Sequence, residues 1–230
     1  MPGKLVPPGG AVLAFSPAVA GHWEMFAVDS DETIHRSAWR DGGGSGAGWS
    51  AWTSQPAPEG LPVTSIAASC ASLLTQDQGQ GQGRVGDHRQ DLVAVAGGQV
   101  WHRQRRGTPE AMSPWSDWEP LAGLPLTVTD VACSSRDPGH VEVFAVDHRG
   151  RLSRRDYTER GGWSAWQDLP GPAGQHVAAV TSTSHPFSPY QKLAVLTTAG
   201  RAYHAWRSAF GPGGESGWTP WRDLPALAPG

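Results

Sequence analysis

Two tryptophans separated by two residues recur four times in this 230-residue chain, as Trp49-Ser-Ala-Trp52, Trp115-Ser-Asp-Trp118, Trp163-Ser-Ala-Trp166 and Trp218-Thr-Pro-Trp221. The copies lie about 50 to 65 residues apart, near the period at which propeller blades repeat. No other feature narrows the fold so far. A chain that uses one indole pair four times is built from four copies of one supersecondary unit.

Each copy closes a set of four short segments. The first is Ala11-Val-Leu-Ala-Phe15, Thr64-Ser-Ile-Ala-Ala-Ser-Cys70, Thr127-Val-Thr-Asp-Val-Ala-Cys133 or His176-Val-Ala-Ala-Val-Thr181. The second is Glu24-Met-Phe-Ala-Val28, Asp91-Leu-Val-Ala-Val95, Glu142-Val-Phe-Ala-Val146 or Lys192-Leu-Ala-Val-Leu196. The third is Thr33-Ile-His-Arg36, Val100-Trp-His-Arg103, Leu152-Ser-Arg-Arg155 or Ala202-Tyr-His-Ala205, and the fourth is the tryptophan phrase. Short segments rich in Val, Ala, Phe and Trp, punctuated by turn formers, read as an all-β repeat. With 30 Gly and 20 Pro along the chain, helices of useful length are excluded.

The pattern predicts an all-β β-propeller of four four-stranded antiparallel blades, with Trp-x-x-Trp on each outer strand. One domain spans 10–224, with blades near 10–54, 62–120, 125–169 and 175–224, and tails at 1–9 and 225–230. Side chains alternate along a strand, so tryptophans three apart are expected on opposite faces, one indole toward each neighbouring blade. The Gln/Gly-rich stretch 73–90 has too little apolar surface to order itself and reads as a mobile loop.

A formal net charge of −3 gives no basic field for nucleic acid or an anionic membrane. No apolar run reaches the roughly 20 residues of a membrane helix. Residues 1–10 have no apolar core of a secretory signal. The expectation is a soluble protein, cytoplasmic or released without a signal peptide. Cys70 and Cys133 follow the like phrases Leu61-Pro-Val-Thr and Leu124-Pro-Leu-Thr at one offset. They are expected at the same strand position in successive blades, too far apart to bridge, as free buried thiols. No cofactor and no metal is expected: Asp29 and Asp31 lack the rest of a calcium loop, and no nucleophile elbow is present.

The blade phrase Val141-Glu-Val-Phe-Ala-Val-Asp, with Gly150-Arg-Leu and Gly162-Trp-Ser-Ala-Trp-Gln-Asp-Leu169, resembles the PLL-like family of bacterial fucose-binding propeller lectins. It is more distantly similar to the fungal six-bladed fucose lectins. The resemblance implies a lectin fold and runs from about residue 10 to residue 224. The bacterial relatives close seven blades, whereas four are counted here. A four-bladed ring closed by blades one and four is the first expectation. A homodimer completing an eight-bladed ring comes second, and a piece of a longer array third.

Aligning the repeats gives an acidic row of Glu24, Asp91 and Glu142, with Lys192 in the fourth place. A second row holds His35, His102, Ser153 and His204, followed by Arg36, Arg103 and Arg154. Pairing Val28 with Ile34 puts Glu24 and His35 on opposite faces. Each groove between blades is then expected to hold an acid of one blade, a histidine or arginine of the next, and Trp52, Trp118, Trp166 or Trp221. Acceptors, donors and an indole face suit a saccharide. The functional expectation is a non-enzymatic glycan-binding propeller. The alternative is a small-molecule enzyme using Glu24, Glu142, His35, His102 or His204 as acid and base, and the third is a protein-binding scaffold.

Overall fold

The computed structural model describes residues 12–19, 22–40, 48–75, 84–108, 111–137, 139–184, 190–208 and 217–225. The expected terminal tails 1–9 and most of 225–230 lie outside them. Among the described residues every regular element is a strand, apart from one short 3-10 turn at Pro58–Gly60. The first sheet holds β1 (Val12–Val19), β2 (His22–Val28), β3 (Ile34–Arg40) and two outer pieces, β4 (Gly48–Trp49) and β5 (Thr53–Ser54). The second holds β6 (Val63–Thr75), β7 (Arg84–Ala96), β8 (Gln99–Thr108), β9 (Ala111–Met112) and β10 (Glu119–Pro120). The third holds β11 (Val128–Asp137), β12 (His140–Asp147), β13 (Leu152–Thr158), β14 (Gly162–Trp163) and β15 (Gln167–Leu169). The fourth holds β16 (Val177–Ser184), β17 (Tyr190–Thr197), β18 (Ala202–Ser208) and β19 (Arg222–Asp223).

Within each sheet the strands run antiparallel in chain order from the first strand outward. Successive sheets pack β1 on β6, β6 on β11 and β11 on β16, so the first strands share a hub. That hub is polar and closed by its own partners. Ser65 Oγ donates to Asp130 Oδ1 at 2.6 Å, Asp130 Oδ2 accepts the Val180 N–H at 2.8 Å, and Ser69 and Ser135 hydroxyls meet at 2.9 Å. One carboxylate of the third blade therefore ties the second and fourth blades.

Three apolar clusters fill the spaces between neighbours. Phe26, Val28 and Ile34 of the first blade meet Ile66, Leu92 and Trp101 of the second. Val93 and Val95 meet Val131 and Val143, and Phe144 and Val146 meet Val180 and Leu193. The second strands of the two middle blades are consequently apolar on both faces, and Leu92 through Ala96 are wholly buried. A strand covered on both sides loses the hydrophobic alternation of a half-exposed one.

The tight turn of each blade also grips the next blade. The carbonyls of Glu32, Gly98 and Gly150 accept the N–H of Val63, Val128 and Val177 at 3.0, 2.9 and 3.0 Å. Gly98 and Gly150 hold φ of +73° and +75°, and a Cβ on Gly150 would lie 2.9 Å from backbone atoms of Val177. The left-handed conformation, which Glu32 also holds at φ +60°, favours glycine, and the close backbone approach at Gly150 requires it.

Four expectations change. Among the described residues β1 and β16 make no contact comparable to those between consecutive first strands. Over those residues the four blades form an open arc, not the expected ring closed between blades one and four. Second, much of 73–90 is not a loop: β6 runs to Thr75 and β7 starts at Arg84, leaving 76–83 outside the described residues. Backbone pairing on both sides of β7 orders this stretch, with His88 opposite Ser72 and Gly107. Third, Cys70 pairs with Gln90 but Cys133 with Val143. Since Ser69 and Ser134 face the equivalent acids, Asp91 and Glu142, the two cysteines sit two residues apart in register, and neither is in a disulfide; Cys133 is buried and Cys70 half-buried.

The fourth correction concerns the indoles. Trp115 and Trp118 both pack on the cluster shared with the first blade, Trp163 and Trp166 on the next, and Trp218 and Trp221 on the last. Both members of a pair face the preceding blade. The reason is the residue between them. Ser116 N–H donates to the Gln104 carbonyl at 2.8 Å while its Oγ accepts the Gln104 N–H at 3.1 Å. Ser164 does the same with Asp156, Ser50 with Ala38, and Thr219 with Trp206. A hydroxyl standing in for a backbone acceptor lets the chain step out of the ladder, and strict alternation ends there.

Candidate functional site

The clefts between blades gather the candidate residues. Glu24, on β2, is wholly buried against the second blade. Its Oε1 accepts Arg36 Nε at 3.0 Å, with Arg36 Nη2 also bonded to it, and lies 2.6 Å from Arg105 Nη2 of the next blade. Burial pushes this carboxyl up, but the hydrogen bonds and charges of Arg36 and Arg105 outweigh it and hold Glu24 below its ordinary 4.5.

Above this pair lies Arg103. Its guanidinium carbon is 5.0 Å from the Trp115 ring centre and 4.6 Å from that of Trp118. The side chain is 4% exposed, yet its Nε and Nη2 have no acceptor among the described residues, nor has the Trp115 indole nitrogen. Burial, then repulsion from Arg105 and Arg36, lowers Arg103 to about 10. Beside it a cleft of about 470 Å³ is lined by Pro56, Ala57, Arg103, Trp115, Ser116 and Trp118 among others. Trp118 is fixed in turn, its Nε1 donating to the Pro56 carbonyl of the first blade at 2.9 Å. Buried polar groups are normally paired; these donors are not, and Arg103 and Trp115 both line the cleft.

The next two clefts repeat the plan with different degrees of self-satisfaction. Between the second and third blades, Asp91 binds Arg89 through both oxygens and lies 2.8 Å from His102 Nε2. His102 is edge-on to Trp163 at 5.0 Å. Arg155, equivalent to Arg103, donates to the carbonyls of Ser164 and Ala122 at 2.6 and 2.9 Å. Between the third and fourth blades, Glu142 holds Arg154 at 3.1 Å and Arg207 at 2.6 Å. Burial pushes Glu142 up, with Arg207 opposing it, while Phe144 meets Trp218 at 5.9 Å as Phe26 meets Trp115. Trp166 and Trp221 donate to Leu121 and Pro170 of the preceding blade at 3.0 and 2.8 Å.

The acidic row is therefore real, but the histidine row is not. The register sets Ala27 opposite His35, Val93 opposite His102, Ala145 opposite Ser153 and Ala194 opposite His204. His102 and His204 share their position with Arg36 and Arg154, whereas His35 matches Trp101, Ser153 and Tyr203. The turn between Val95 and Val100 is one residue shorter than its counterparts, which moves His102 to the acid-bearing face. His35 lies on the other face of the first blade, 2.6 Å from Asp29. His204 stacks on Trp206 at 5.5 Å. The histidines are scattered over three surfaces, and the acids offered as catalytic groups are wholly buried against arginines. Trp52 belongs to the first blade and is half-buried.

Sequence reading missed Arg105, Arg207 and the first tryptophans of the pairs. The available signal was the register itself: Arg105 lies opposite Gln90 and Arg207 opposite Gln191. Among the described residues no three His, Cys, Asp or Glu side chains group as a metal site would, and no helix is long and apolar enough to cross a membrane.

No family model and no curated protein matches the sequence. Solved structures do. AofleA from Arthrobotrys oligospora, in a mutant form, has TM-score 0.60 at 9% identity, over 96% of this chain and 58% of that one. The BP39L lectin of Burkholderia pseudomallei has TM-score 0.59 at 18% identity, over 95% and 57%. The Aleuria aurantia lectin, a six-bladed β-propeller, has TM-score 0.54 at 11% identity, over 94% and 62%. The chain spans about three fifths of the length of these structures. The fold is that of a β-propeller.

Proposed function

We propose that this chain is a non-enzymatic carbohydrate-binding module whose ligands lodge between blades, foremost between the first and second. The observation that carries this reading is Arg103: a guanidinium held over two indoles, with two donors left unsatisfied beside an open cleft. A saccharide supplies both complements. Its hydroxyl or carboxylate oxygens accept from the guanidinium, and its C–H face packs on an aromatic ring. Trp118 lines the same cleft, and Glu24 sets the orientation of Arg36 and Arg105 beneath it. The cleft at Glu142, with Arg154, Trp218 and Trp221, is the second site. The one at Asp91 and His102, where Arg89 and His102 close on Asp91 and Arg155 is taken up by backbone carbonyls, is the weakest.

The similarity to structures called lectins supports this reading, as does the resemblance of the blade phrase to the PLL-like group. The Aleuria aurantia lectin is described by its fucose recognition, which makes methyl fucoside the first monosaccharide to try. Several weak sites on one array give useful avidity toward a glycan surface. The test is a glycan array followed by calorimetry on the strongest binder, with Arg103→Met as the control. Binding abolished or weakened by that change supports the assignment. A flat array with no thermal stabilisation by any monosaccharide overturns it.

A further inference from the structure

Among the described residues the exposed large hydrophobic side chains are Trp23, Trp49, Tyr190, Leu196 and Leu224. All five lie on the two end blades of the arc. They are also the end-blade versions of positions that are covered elsewhere. Val28, Val95 and Val146 are 6, 0 and 0% exposed, while Leu196, at the same register, is 46% exposed. Leu121 is 4% exposed and its counterpart Leu224 is 39%. On the opposite end, Trp23 is 39% exposed where the matching Gln90 and Gln191 are buried.

The two ends are the two halves of one interface that the chain makes three times internally. The fourth blade presents the receiving half. Its turn glycine, Gly200, holds φ +75° like Gly98 and Gly150, but open space lies where those two press on the next blade. A cleft of about 680 Å³ beside it is lined by Leu196, Ala202, Leu224 and Pro225. Leu224 and Pro225 occupy the place from which Leu121 and Pro170 receive an indole N–H. The first blade presents the inserting half, with Trp49 and Trp52.

The polar groups at the two ends differ from the internal ones in a matched way. Inside, an acid of one blade meets an arginine of the next, as Glu24 meets Arg105 and Glu142 meets Arg207. At the ends, Lys192 replaces the acid and Trp39, opposite Trp23, replaces the arginine. Had only the acid changed, lysine would face arginine. Changing both gives an ammonium facing an indole, which is attractive. Likewise His102 meets Trp163 internally, and His204 at one end has Trp49 as its counterpart at the other.

We infer that the occupant of each end is a second copy of this chain, the first blade of one packing on the fourth blade of the other. Two such contacts related by a twofold axis close a ring of eight blades, within the four to eight that propellers commonly use, whereas three copies would exceed it. The partner's Trp52 enters the cleft at Leu224 and Pro225, and Trp49 meets His204. Each closure adds an interblade cleft that carries a lysine in place of an acid. This inference stands independently of carbohydrate binding.

Light scattering and sedimentation of the 230-residue chain test it. The expected mass is twice the 24.4 kDa of one chain. Leu196→Glu and Trp49→Glu, each with an unchanged circular dichroism spectrum, are expected to halve the mass. Because the two substitutions damage opposite halves, mixing the variants leaves one intact contact, and a one-to-one complex is expected to form where neither variant self-associates. A wild-type chain that remains at 24.4 kDa across the micromolar range overturns the inference. So does a dimer that survives both substitutions. Sugar binding by a strictly monomeric chain would sink the assembly alone, and a dimer without sugar binding would sink the proposed function alone.

Discussion

The Trp166 indole nitrogen donates to the Leu121 carbonyl at 3.0 Å, joining the third blade to the second. The same contact runs from Trp118 to Pro56 and from Trp221 to Pro170. The second tryptophan of the last three phrases is thus a hook on the preceding blade. Trp166→Phe removes this bond and leaves a carbonyl unpaired, at a cost of about 1 to 3 kcal/mol. Urea unfolding followed by circular dichroism measures the loss. An unchanged midpoint would mean that the indole contributes packing alone.

Ser164 has a job distinct from its neighbours. Its Oγ accepts the Asp156 N–H at 3.1 Å and donates to the Ala165 carbonyl at 3.1 Å. Ser164→Ala is expected to destabilise by about 1 kcal/mol, while Ser164→Thr is nearly silent, as Thr219 already fills that role in the fourth blade. Thermal melts of the two variants make the comparison. Equal losses in both would refute the hydroxyl's place in the ladder.

Arg103 is expected to separate stability from function. Burial and the repulsion of Arg105 and Arg36 oppose its charge, and two of its donors lack protein partners. Arg103→Met should leave the melting temperature unchanged or raise it, yet weaken glycan binding about tenfold or more, since a hydrogen bond to a charged group contributes about 1.5 to 3 kcal/mol. Calorimetry and differential scanning fluorimetry on one preparation decide the matter. A variant that loses stability and keeps affinity would reverse the assignment.

Gly150 has a φ of +75°, and a Cβ there would meet Val177 backbone atoms at 2.9 Å. Gly150→Ala adds left-handed strain and pushes two blades apart, with an expected loss above about 1 kcal/mol. Gly200→Ala carries the strain without the collision in the isolated chain, so it should cost less. A larger loss at Gly200 in the assembled protein would point to a neighbour seated there.

Acid should loosen the junction of the first two blades. Glu24 is held below its ordinary 4.5 in the folded chain, so the unfolded chain binds its proton first. Its contribution is complete above about pH 4.5 and disappears as pH falls through the lower folded value. Glu24→Gln is therefore expected to flatten the acid limb of a plot of stability against pH. Identical acid limbs in both proteins would show that the pairing with Arg36 and Arg105 does not govern it.

The repeat and the strand order were legible in the residues because four tryptophan phrases and four Val-Ala strands keep step along the chain. The acidic positions were legible for the same reason, since Glu24, Asp91 and Glu142 sit at a fixed distance before each turn. The sides to which side chains point were not. One missing turn residue between Val95 and Val100 moved His102 to the other face from His35, and a serine hydroxyl in the ladder sent both indoles of each pair the same way. Side-chain parity in a sheet flips with each single-residue shift, and only the pairing of strands reveals such a shift. The openness of the arc was also beyond composition and period. Each internal junction joins blades consecutive in the chain, whereas closure depends on how the rotations between blades accumulate and whether two distant ends meet.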